Sequence, residues 1–548
     1  MTETLYPLRP RESVSMKTRD GVRLDADVYR PDGAGPFPVL LMRQPYGRAI
    51  ASTVTYAHPT WYAHRGFLVV VQDVRGRGTS EGDFDPFASE REDGFDTVQW
   101  AANLPGSTGV VGMYGFSYQG STQLLAAAAR PPALRAICPA MSPWDVRADM
   151  AYENGALRLQ SAMGWAVQLA AETARRSGDA SAFQALHAAS RGLSLHEQMP
   201  ARPAVLDRFA PDSHYHAWLA HPTEDEYWGL RSPHAALRAA AVPALWIGGW
   251  YDSFLDGTLC GYRAAAHGEA PQRLIVGPWP HIPWSRRVGA IDFGPDADSP
   301  IDELQLRWFD HWLKGRDTGM LAERAVRLFE MDGAGWCDFE AWPDGRSRAL
   351  YLTSGGRGGV GEVNGMLAPA PDRTLTSDVI VHDPWRPVPA VGGHLGVPPG
   401  PYDRAAVDAR ADVLTYTTPP LDDDAHLAGD VVLELWCGAD APSFDVSAVL
   451  SVVRTDGRVL PLVQGHARVD TPRASPLRLP MRATCVRVER GSALRLSVAG
   501  ACAPAYALNL GTGTSAAEAR QIDARVIALT VSSGAAMPSR VLIPERKV

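Results

Sequence analysis

Runs of apolar residues recur along the first half of the chain, and each run is bounded by glycine, proline or charged residues. Within a run the apolar residues are nearly continuous and do not alternate with polar ones. Continuous runs are typical of strands that are covered on both faces, as in parallel sheets. We therefore predict strands within 35–47, 66–84, 109–117, 133–141, 242–252 and 273–281.

Segments with helical spacing lie between these runs. Residues 90–105 place Phe95, Val98 and Ala102 on one side of a helix, and residues 120–130 are rich in good helix formers. A further apolar stripe consists of Ile301, Leu304, Trp308 and Trp312. Strands that alternate with helices predict an α/β fold with a covered sheet.

Residues 145–240 interrupt this alternation. They are rich in Ala, Arg, Leu, His and Trp, lack strong strand patterns and fall between two predicted strands. Insertions at the C-terminal edge of a sheet often form lids over a binding site. We predict a helical cap (lid) domain there, which separates a first part of the α/β domain at 1–144 from a second part at 241–345.

The pattern changes again in the last third of the chain. Every second residue from Val431 to Cys437 is apolar, and Asp456-Gly457 separates two apolar runs in the manner of a hairpin turn. Short strands with turn residues between them are typical of β-sandwiches and jelly rolls. We predict a C-terminal β-sandwich of the jelly-roll type at 346–548.

Composition and charge exclude several classes of function. The 548 residues carry a formal net charge of −8, and no Lys/Arg-rich block indicates a nucleic-acid groove or an anionic membrane as a partner. There is no apolar run of the length, about 18 residues, that a membrane-spanning helix needs. The first residues also lack the apolar core of a signal peptide. We therefore expect a cytoplasmic protein.

Metal and cofactor motifs are not found either. The six cysteines are scattered without a CxxC pair, which argues against a disulfide framework or a zinc cage. The run at 421–426, LDDDAH, lacks the spacing of an EF-hand loop. Around Asp73, Arg75 and Arg77 the glycines match neither a P-loop nor a dinucleotide fingerprint, so we expect a loop held by ion pairs. No cofactor and no metal are predicted.

One serine has the setting of a nucleophile. Residues 112–123, GMYGFSYQGSTQ, place Ser117 after an apolar run and before a helix-forming segment. The nucleophile elbow of α/β-hydrolases, G-x-S-x-G, occupies such a strand–turn–helix junction. Here Gln119 stands at the last motif position, and the glycine follows one residue later as Gly120. A loop serine without a catalytic role is the alternative.

A base and an acid follow in the order that this fold uses. Asp252 stands at the end of one predicted strand, and His281 comes a few residues after the apolar core of the next. In α/β-hydrolases the chain order is nucleophile, acid, histidine. Taken singly, Asp252 reads as a helix N-cap and His281 as a loop histidine. Their order and placement together favour a Ser-His-Asp triad.

The chain resembles the CocE/NonD family of serine hydrolases, which includes cocaine esterase and is related to α-amino acid ester hydrolases and X-Pro dipeptidyl-peptidases. The family elbow reads G-x-S-Y-x-G, which Gly115 to Gly120 match. The resemblance implies an α/β-hydrolase fold with an inserted cap and a C-terminal jelly roll. It rests on segments 18–31, 43–48, 73–84, 112–120, 248–254, 277–281 and 326–336, which follow in family order.

The resemblance also implies a role for each site residue. Ser117 would attack the substrate carbonyl, and His281 would take the serine proton and pass it to the leaving group. Asp252 would hold the imidazole and stabilise the imidazolium. The oxyanion hole would combine the backbone N–H of Tyr118 with the phenol of Tyr46.

The same resemblance bears on substrate binding. Trp165 and Phe254 would line the acyl side of the pocket, with Tyr152 near it. Aromatic walls favour an apolar or aromatic acyl group. The amino acid ester hydrolases carry two acids where this chain has Phe254 and Leu255, which leaves Glu153 as a lone candidate for binding an ammonium group.

We therefore predict a carboxylic ester hydrolase that acts on a small-molecule ester. The first alternative is an α-amino acid ester hydrolase or an X-Pro dipeptidyl-peptidase, which would take a short peptide or amide. A binding protein with an inactive hydrolase fold is the second alternative. The sequence leaves open whether the chain forms a homo-oligomer.

Overall fold

A mixed sheet, parallel except at its ends, organises the first part of the chain. The computed structural model describes residues 5–197, 199–237, 242–345, 347–361, 365–472 and 474–546. The domain borders predicted at 240–241 and at 346 lie outside these ranges and stay predictions. The strands before residue 340 are β1 (Glu12–Lys17), β2 (Arg23–Tyr29), β3 (Phe37–Gln44), β4 (Leu68–Asp73), β5 (Ser107–Phe116), β6 (Leu134–Ala140), β7 (Tyr152–Glu153), β8 (Ala156–Leu157), β9 (Ala244–Tyr251), β10 (Gln272–Pro280), β11 (Arg287–Val288), β12 (Ile291–Asp292), β13 (Val326–Glu330) and β14 (Gly335–Phe339).

The order of the strands is that of a doubly wound sheet. It runs β1-β2-β4-β3-β5-β6-β9-β10-β13-β14. The pairs from β4–β3 through β10–β13 are parallel, whereas β1–β2, β2–β4 and β13–β14 are antiparallel. Every continuously apolar run that predicted a strand overlaps one of these strands.

Helices cover both faces of this sheet, which explains the continuous apolar runs. In β3, Val39 and Leu41 pack into the hydrophobic cluster on one face, while Leu40 and Met42 pack into the cluster on the other. The helices before residue 340 are α1 (Pro59–His64), α2 (Glu90–Ala102), α3 (Tyr118–Ala129), α4 (Leu159–Ser177), α5 (Ala180–Gly192), α6 (Ala204–Phe209), α7 (His214–Ala220), α8 (Glu226–Gly229), α9 (His234–Leu237), α10 (Leu255–Ala266) and α11 (Ile301–Lys314). Among the described residues, no helix is long and apolar enough to cross a membrane.

The predicted helix at 90–105 forms, but its buried side differs from the apolar positions. Val98 is buried as expected, whereas Phe95 is only half-buried and lies under the guanidinium of Arg19. Asp93 and Thr97 take the buried side, because Asp93 binds Arg75 and the Thr97 hydroxyl donates to Gln72. The buried side of this helix therefore includes polar residues whose hydrogen bonds are satisfied, and it is not the apolar stripe that the sequence predicted.

The cap lies between β6 and β9, as the sequence predicted, and is largely helical. Helices α4 to α9 belong to it, and two short strands, β7 and β8, form a hairpin before α4. Helix α4 packs most extensively against α5. Its buried residues join one hydrophobic cluster with Val74 and Tyr118 of the sheet's C-terminal edge. The cap therefore sits over the edge at which the parallel strands end.

The remainder of the chain is rich in strands. The predicted hairpin forms: β20 (Ser443–Val453) and β21 (Val459–Asp470) pair antiparallel, and the turn between them contains Gly457. Val431 and Leu433 are buried while Glu434 is not, as the alternation predicted. The jelly-roll order itself stays a prediction. The elements are β15 (Ser347–Thr353), β16 (Met366–Ala368), β17 (Thr376–His382), α12 (Ala405–Asp408), β18 (Val413–Thr417), β19 (Ala425–Ala439), β20 (Ser443–Val453), β21 (Val459–Asp470), β22 (Leu477–Val488), β23 (Ala493–Ala499), β24 (Ile527–Ser533) and β25 (Arg540–Pro544).

The C-terminal β-domain packs directly on the α/β domain. The Tyr251 hydroxyl donates to the carbonyl of Pro461 at 3.2 Å, and Arg263 of α10 forms an ion pair with Asp430 of β19 at 2.7 Å. The backbone N–H of Met331 donates to the carbonyl of Cys485 at 2.9 Å. Apolar residues of both domains belong to one continuous core cluster.

The first turn of α3 approaches β6 so closely that Gly120 has no room for a side chain. A Cβ there would lie 1.7 Å from Oγ of Ser142 and 3.1 Å from the carbonyl oxygen of Ala140. The Ser142 hydroxyl already donates to that carbonyl, at 3.0 Å. The displaced glycine of the serine motif is therefore a packing requirement.

We expect Gly120→Ala to lower the free energy of unfolding by about 1–3 kcal/mol, since overpacking forces the helix away from the strand. Gly164→Ala is the matched control. Gly164 is exposed in the middle of α4, and a methyl group there would meet no described atom outside the helix within 4 Å, so alanine should stabilise the helix by about 0.5–1 kcal/mol. The thermal unfolding midpoints of the two variants measure both effects. A midpoint of Gly120→Ala at or above that of the wild type would contradict the packing argument.

Candidate active site

Ser117 occupies a sharp turn between β5 and α3. Its backbone has φ 59° and ψ −128°, a conformation that residues other than glycine rarely adopt. The turn is held by the Ser117 N–H, which donates to the carbonyl of Ala140 at 2.9 Å, and by the side chain of Gln119, which accepts from the N–H of Phe116 at 3.2 Å. Strain of about 1–3 kcal/mol at such a position persists only where the surroundings fix it.

Asp252 and His281 meet at the ends of neighbouring parallel strands. Before the paired residues Tyr251 and Pro280, β10 contains one residue more than β9. Asp252 and His281 are the next residues along and therefore lie opposite each other. The Nδ1 atom of His281 is 2.7 Å from Oδ1 of Asp252.

The two side chains of this pair differ in their exposure to solvent. The Asp252 side chain is fully buried, whereas the His281 side chain is 28% exposed. The rings of Phe116 and Phe254 pack on the imidazole, with centroids 5.3 and 5.2 Å away. With Nδ1 engaged by the aspartate, Nε2 is the atom left to face a substrate.

One cavity, of about 470 Å³, is lined by the predicted site residues other than Asp252 and Tyr152. Its wall includes Ser117, His281 and Tyr46 from the sheet side and Trp165 from the cap. Such a volume suits a small organic ligand. The rest of the lining that bears on chemistry consists of Tyr118, Gln119, Asp149, Met150, Arg158, Ser161, Trp218, Ser253 and Phe254.

Two hydrogen-bond donors lie beside Ser117. Tyr118 is the first residue of α3, so its N–H has no partner within the helix. The Tyr46 hydroxyl accepts from Nε1 of Trp165 at 3.2 Å. Burial raises the pKa of the Tyr46 phenol, against the opposing effects of Trp165, Arg77 and a hydrogen bond with Ser117. The phenol therefore keeps its proton and can donate it in a hydrogen bond.

The loop that carries Tyr46 is fixed by Arg77. Its Nε donates to the carbonyl of Pro45 at 2.9 Å, and its Nη1 donates to the hydroxyl of Thr173 in α4 at 3.0 Å. Burial lowers the pKa of Arg77 to about 10. The loop of ion pairs predicted here is confirmed for Asp73, which pairs with Arg48, and for Arg75. Arg77 instead connects the Tyr46 loop to the cap through neutral acceptors.

The structure brings Trp165 and Phe254 to the cavity but not Tyr152. The Tyr152 hydroxyl donates to the carbonyl of Trp218 at 3.0 Å, and its ring is buried under Arg147. Trp218 lines the cavity and stacks on Trp165 with centroids 5.9 Å apart. Tyr152 thus supports an aromatic wall from behind, because it belongs to the β7–β8 hairpin on the far side of that wall.

Glu153 is paired with protein groups through one carboxylate oxygen. Its Oε2 accepts from Arg158 at 2.6 Å and from the Tyr506 hydroxyl at 2.8 Å. Burial alone would raise the pKa of Glu153, but the Arg158 guanidinium, with His394 and Arg482, holds it well below the usual range. The Glu153 carboxylate is charged, and its charge is already balanced by the guanidinium groups of Arg158 and Arg482.

Asp149 is an acid in the cavity wall that sequence reasoning missed. Its Oδ2 accepts from the N–H groups of Trp144 and Asp145, both at 2.8 Å. Burial raises the pKa of its carboxyl to about 7, against these hydrogen bonds and the charge of Arg158. No motif surrounds Asp149, and only the fold brings it to the site. The same holds for Arg158 and Trp218.

A possible metal-ligand group lies outside the cavity. Among the described residues, Asp145, Glu224 and His234 bring one ligand atom each within 4.8 Å of one another. All three are at least partly exposed, and none of them belongs to the cavity wall. Grouped acids at a surface are common without an ion, so this group is not counted with the candidate site.

Comparison with known proteins agrees with this fold. The family model described as X-Pro dipeptidyl-peptidase (S15 family) matches residues 20–283. The model described as X-Pro dipeptidyl-peptidase C-terminal non-catalytic domain matches residues 319–542. The first match contains the cap and most of the α/β sheet, and the second contains most of the C-terminal β-domain together with β13 and β14.

Two solved structures share the whole fold. An aminopeptidase from a marine sediment archaeon, Thaumarchaeota archaeon, superposes with a TM-score of 0.81, covering 100% of this chain and 97% of its own. A selenomethionine-labelled α-amino acid ester hydrolase gives a TM-score of 0.80, covering 100% and 98%. Both are 23% identical in sequence, so they bear on the fold alone.

Sequence similarity to a curated enzyme extends over nearly the full chain. Cocaine esterase of Rhodococcus sp. (strain MB1 Bresler) is 31% identical over 567 residues, covering 97% of this chain and 98% of that protein. The family expectation from the sequence motifs is thereby confirmed. The chain belongs to the CocE/NonD family of serine hydrolases, the family of cocaine esterase.

Proposed function

We propose that this serine hydrolase cleaves carboxylic esters with an apolar or aromatic acyl group, through an acyl-enzyme formed on Ser117. His281 is the general base and acid, and Asp252 orients it. The observation that carries the proposal is the 2.7 Å contact between His281 Nδ1 and Asp252 Oδ1 at the edge of the cavity that also contains Ser117.

The chemistry follows from the order of these groups. Nε2 of His281 takes the proton as Oγ of Ser117 attacks the carbonyl carbon. The tetrahedral oxyanion accepts hydrogen bonds from the Tyr118 N–H and the Tyr46 phenol. The C–O bond to the alcohol then breaks, and His281 returns the proton to the leaving oxygen. A water molecule attacks the acyl-enzyme by the same sequence of proton transfers and releases the acid.

The cavity walls support an apolar acyl group. Trp165, Trp218 and Phe254 present aromatic surface to the cavity, and such walls favour apolar and aromatic ligands. At the mouth, Ile50 and Ile282 line the cavity while remaining 80% and 46% exposed. The relative named cocaine esterase supports ester cleavage as the reaction.

The chief alternative is an α-amino acid ester hydrolase or a dipeptidyl-peptidase. Such an enzyme needs a free carboxylate for the substrate's ammonium group. Glu153 is taken by Arg158 and Tyr506. Asp149 is the observation that favours the alternative, because it lies in the wall. Its pKa of about 7 leaves it largely uncharged in mildly acidic solution, which weakens it as an ammonium site there.

Hydrolysis of p-nitrophenyl butyrate tests the function directly. We expect turnover by the wild type, none by Ser117→Ala, and covalent labelling of Ser117 by a sulfonyl fluoride. Ser121→Ala is the control. Ser121 lies one turn along α3, is more deeply buried than Ser117, and has no hydrogen-bond partner for its hydroxyl within the described residues. Labelling of another serine, with Ser117 unmodified, would refute the mechanism.

A second prediction concerns the oxyanion hole. We expect Tyr46→Phe to lower kcat by about 10²-fold or more with little change in KM, since the phenol serves the tetrahedral intermediate. Tyr114→Phe is the matched control, because that hydroxyl is buried and has no partner within the described part of the chain. An effect of Tyr46→Phe confined to KM would assign the phenol to substrate binding instead.

A third prediction concerns charge and pH. We compare the p-nitrophenyl ester of 3,3-dimethylbutyric acid with its trimethylammonium isostere, whose charge does not titrate. The neutral ester should have the higher kcat/KM at pH 6, because burying an unpaired cation is costly. The ratio of kcat/KM for the neutral ester to that for the cationic ester should fall as pH rises through about 7, where Asp149 becomes charged.

Asp149→Asn should abolish this change of the kcat/KM ratio with pH, so that the variant prefers the neutral ester at all pH values. A wild-type preference for the cationic ester at pH 6 would contradict the plain-esterase proposal and favour the amino acid ester hydrolase.

A further inference from the structure

An arginine of the C-terminal β-domain reaches the turn that carries Asp252. Arg482 lies in β22 and is buried, with a relative exposure of 5%. At this point β22 has one residue more than its partner β19, so that Met481 and Arg482 stand opposite Val431 alone. Bulges of this kind re-aim a side chain and are found next to active sites.

The backbone at Arg482 has φ +72°, in the region that favours glycine. A residue with a side chain is strained there unless its surroundings hold it. The strained bulge therefore directs one particular side chain out of the β-domain, and its guanidinium ends at the α/β domain.

The contacts of that guanidinium are with the main chain after β9. Its Nη1 donates to the carbonyl of Asp252 at 3.0 Å, and its Nη2 donates to the carbonyl of Ser253 at 3.1 Å. Arg158 of the cap donates from Nη1 to the same Ser253 carbonyl at 3.2 Å. Three parts of the chain thus converge on one turn.

Two carboxylates lie near Arg482, one on the cap and one in the first turn of α10, together with the guanidinium of Arg158. Nη2 of Arg482 is 3.8 Å from Oε2 of Glu153, and its Nε is 3.6 Å from Oδ2 of Asp256. These carboxylates hold the guanidinium of Arg482 in place without occupying its two hydrogen bonds to the turn. Arg482 therefore bonds to the main-chain carbonyl of Asp252 and not to its carboxylate, so the carboxylate is free to bind His281.

The Asp252 carboxylate has few other restraints. Its Oδ1 is the atom that contacts His281, and within the described residues Oδ2 has no hydrogen-bond partner from the protein. The direction of the carboxylate therefore depends on the main-chain conformation at residues 252 and 253. Two carbonyls held by one planar guanidinium fix that conformation on both sides of the peptide bond.

We infer that Arg482 is a positioning residue for the catalytic aspartate, supplied by the C-terminal β-domain. It fixes the turn at Asp252 and Ser253 and thereby aims the carboxylate at Nδ1 of His281. The inference rests on the proposed function, in which Asp252 orients His281. It gives the C-terminal domain a part in catalysis besides its packing on the α/β domain.

The test compares three variants on p-nitrophenyl butyrate. Arg482→Met removes both hydrogen bonds at similar length, and Arg482→Lys keeps the charge but cannot bind both carbonyls. Arg468→Met is the control: Arg468 pairs with Asp445 at 2.9 Å and donates to the carbonyl of Ala507, both in the C-terminal β-domain. All are assayed at a temperature at which circular dichroism shows the native fold.

We expect Arg482→Met to lower kcat by about 10²-fold, the usual effect of displacing a catalytic group by about 1 Å. KM should stay within about threefold of wild type, because Arg482 does not line the cavity. Arg482→Lys should recover part of kcat. Arg468→Met should keep kcat within about threefold of wild type.

Proton NMR supplies a second readout that a merely structural role would not change. The Nδ1 proton of His281 should resonate far downfield in the wild type and be identified by its loss in His281→Gln. In folded Arg482→Met and Arg482→Lys it should weaken or shift upfield, and in Arg468→Met it should be unchanged.

Wild-type kcat and an unchanged resonance in Arg482→Met would overturn the inference. If Arg482→Met does not fold, Arg482→Lys with wild-type kcat and resonance overturns it equally. Equal losses in Arg482→Met and Arg468→Met would overturn it too, because they would indicate destabilisation of the β-domain alone. Full activity in Ser117→Ala would instead refute the proposed function, which keeps the two failures distinct.

Discussion

The parallel pairing of β9 with β10 is the constraint on which the rest of the site depends. Parallel strands bring their carboxyl ends to the same edge of a sheet, and the extra residue in β10 makes His281 follow the residue opposite Tyr251. The 2.7 Å contact between His281 and Asp252 is a consequence of that register. The strands themselves are buried on both faces, so the register is held by core packing on either side of the sheet.

The cap completes the site because it encloses a cavity that the sheet edge leaves open. Trp165 of α4 both lines the cavity and donates to the Tyr46 hydroxyl. Arg77 bonds the loop before Tyr46 to Thr173 in the same helix. Helix α4 of the cap therefore supports both the wall of the cavity and the loop that carries the proposed oxyanion donor, Tyr46.

Much of this organisation could be predicted from the sequence, because it depends on short-range patterns. Continuous apolar runs indicated the strands, and the small residues around Ser117 indicated the tight turn. The sequence also set Asp252 and His281 at the ends of two such runs. What it could not show depends on contacts between distant segments. Asp149 reaches the cavity wall, and Tyr152 turns to Trp218, because of how the cap folds back on the sheet.

Two irregularities, one in β10 and one in β22, explain why the rest lay beyond sequence reasoning. Each inserts a single residue into one strand of a pair. Yet the first sets His281 opposite Asp252, and the second turns Arg482 toward the carbonyl of that same aspartate. A bulge changes which residue faces which partner by one position, and that reverses the direction of a side chain. Hydrophobic patterning specifies the strands of this fold, whereas the groups that meet at the proposed triad are set by single-residue departures from it.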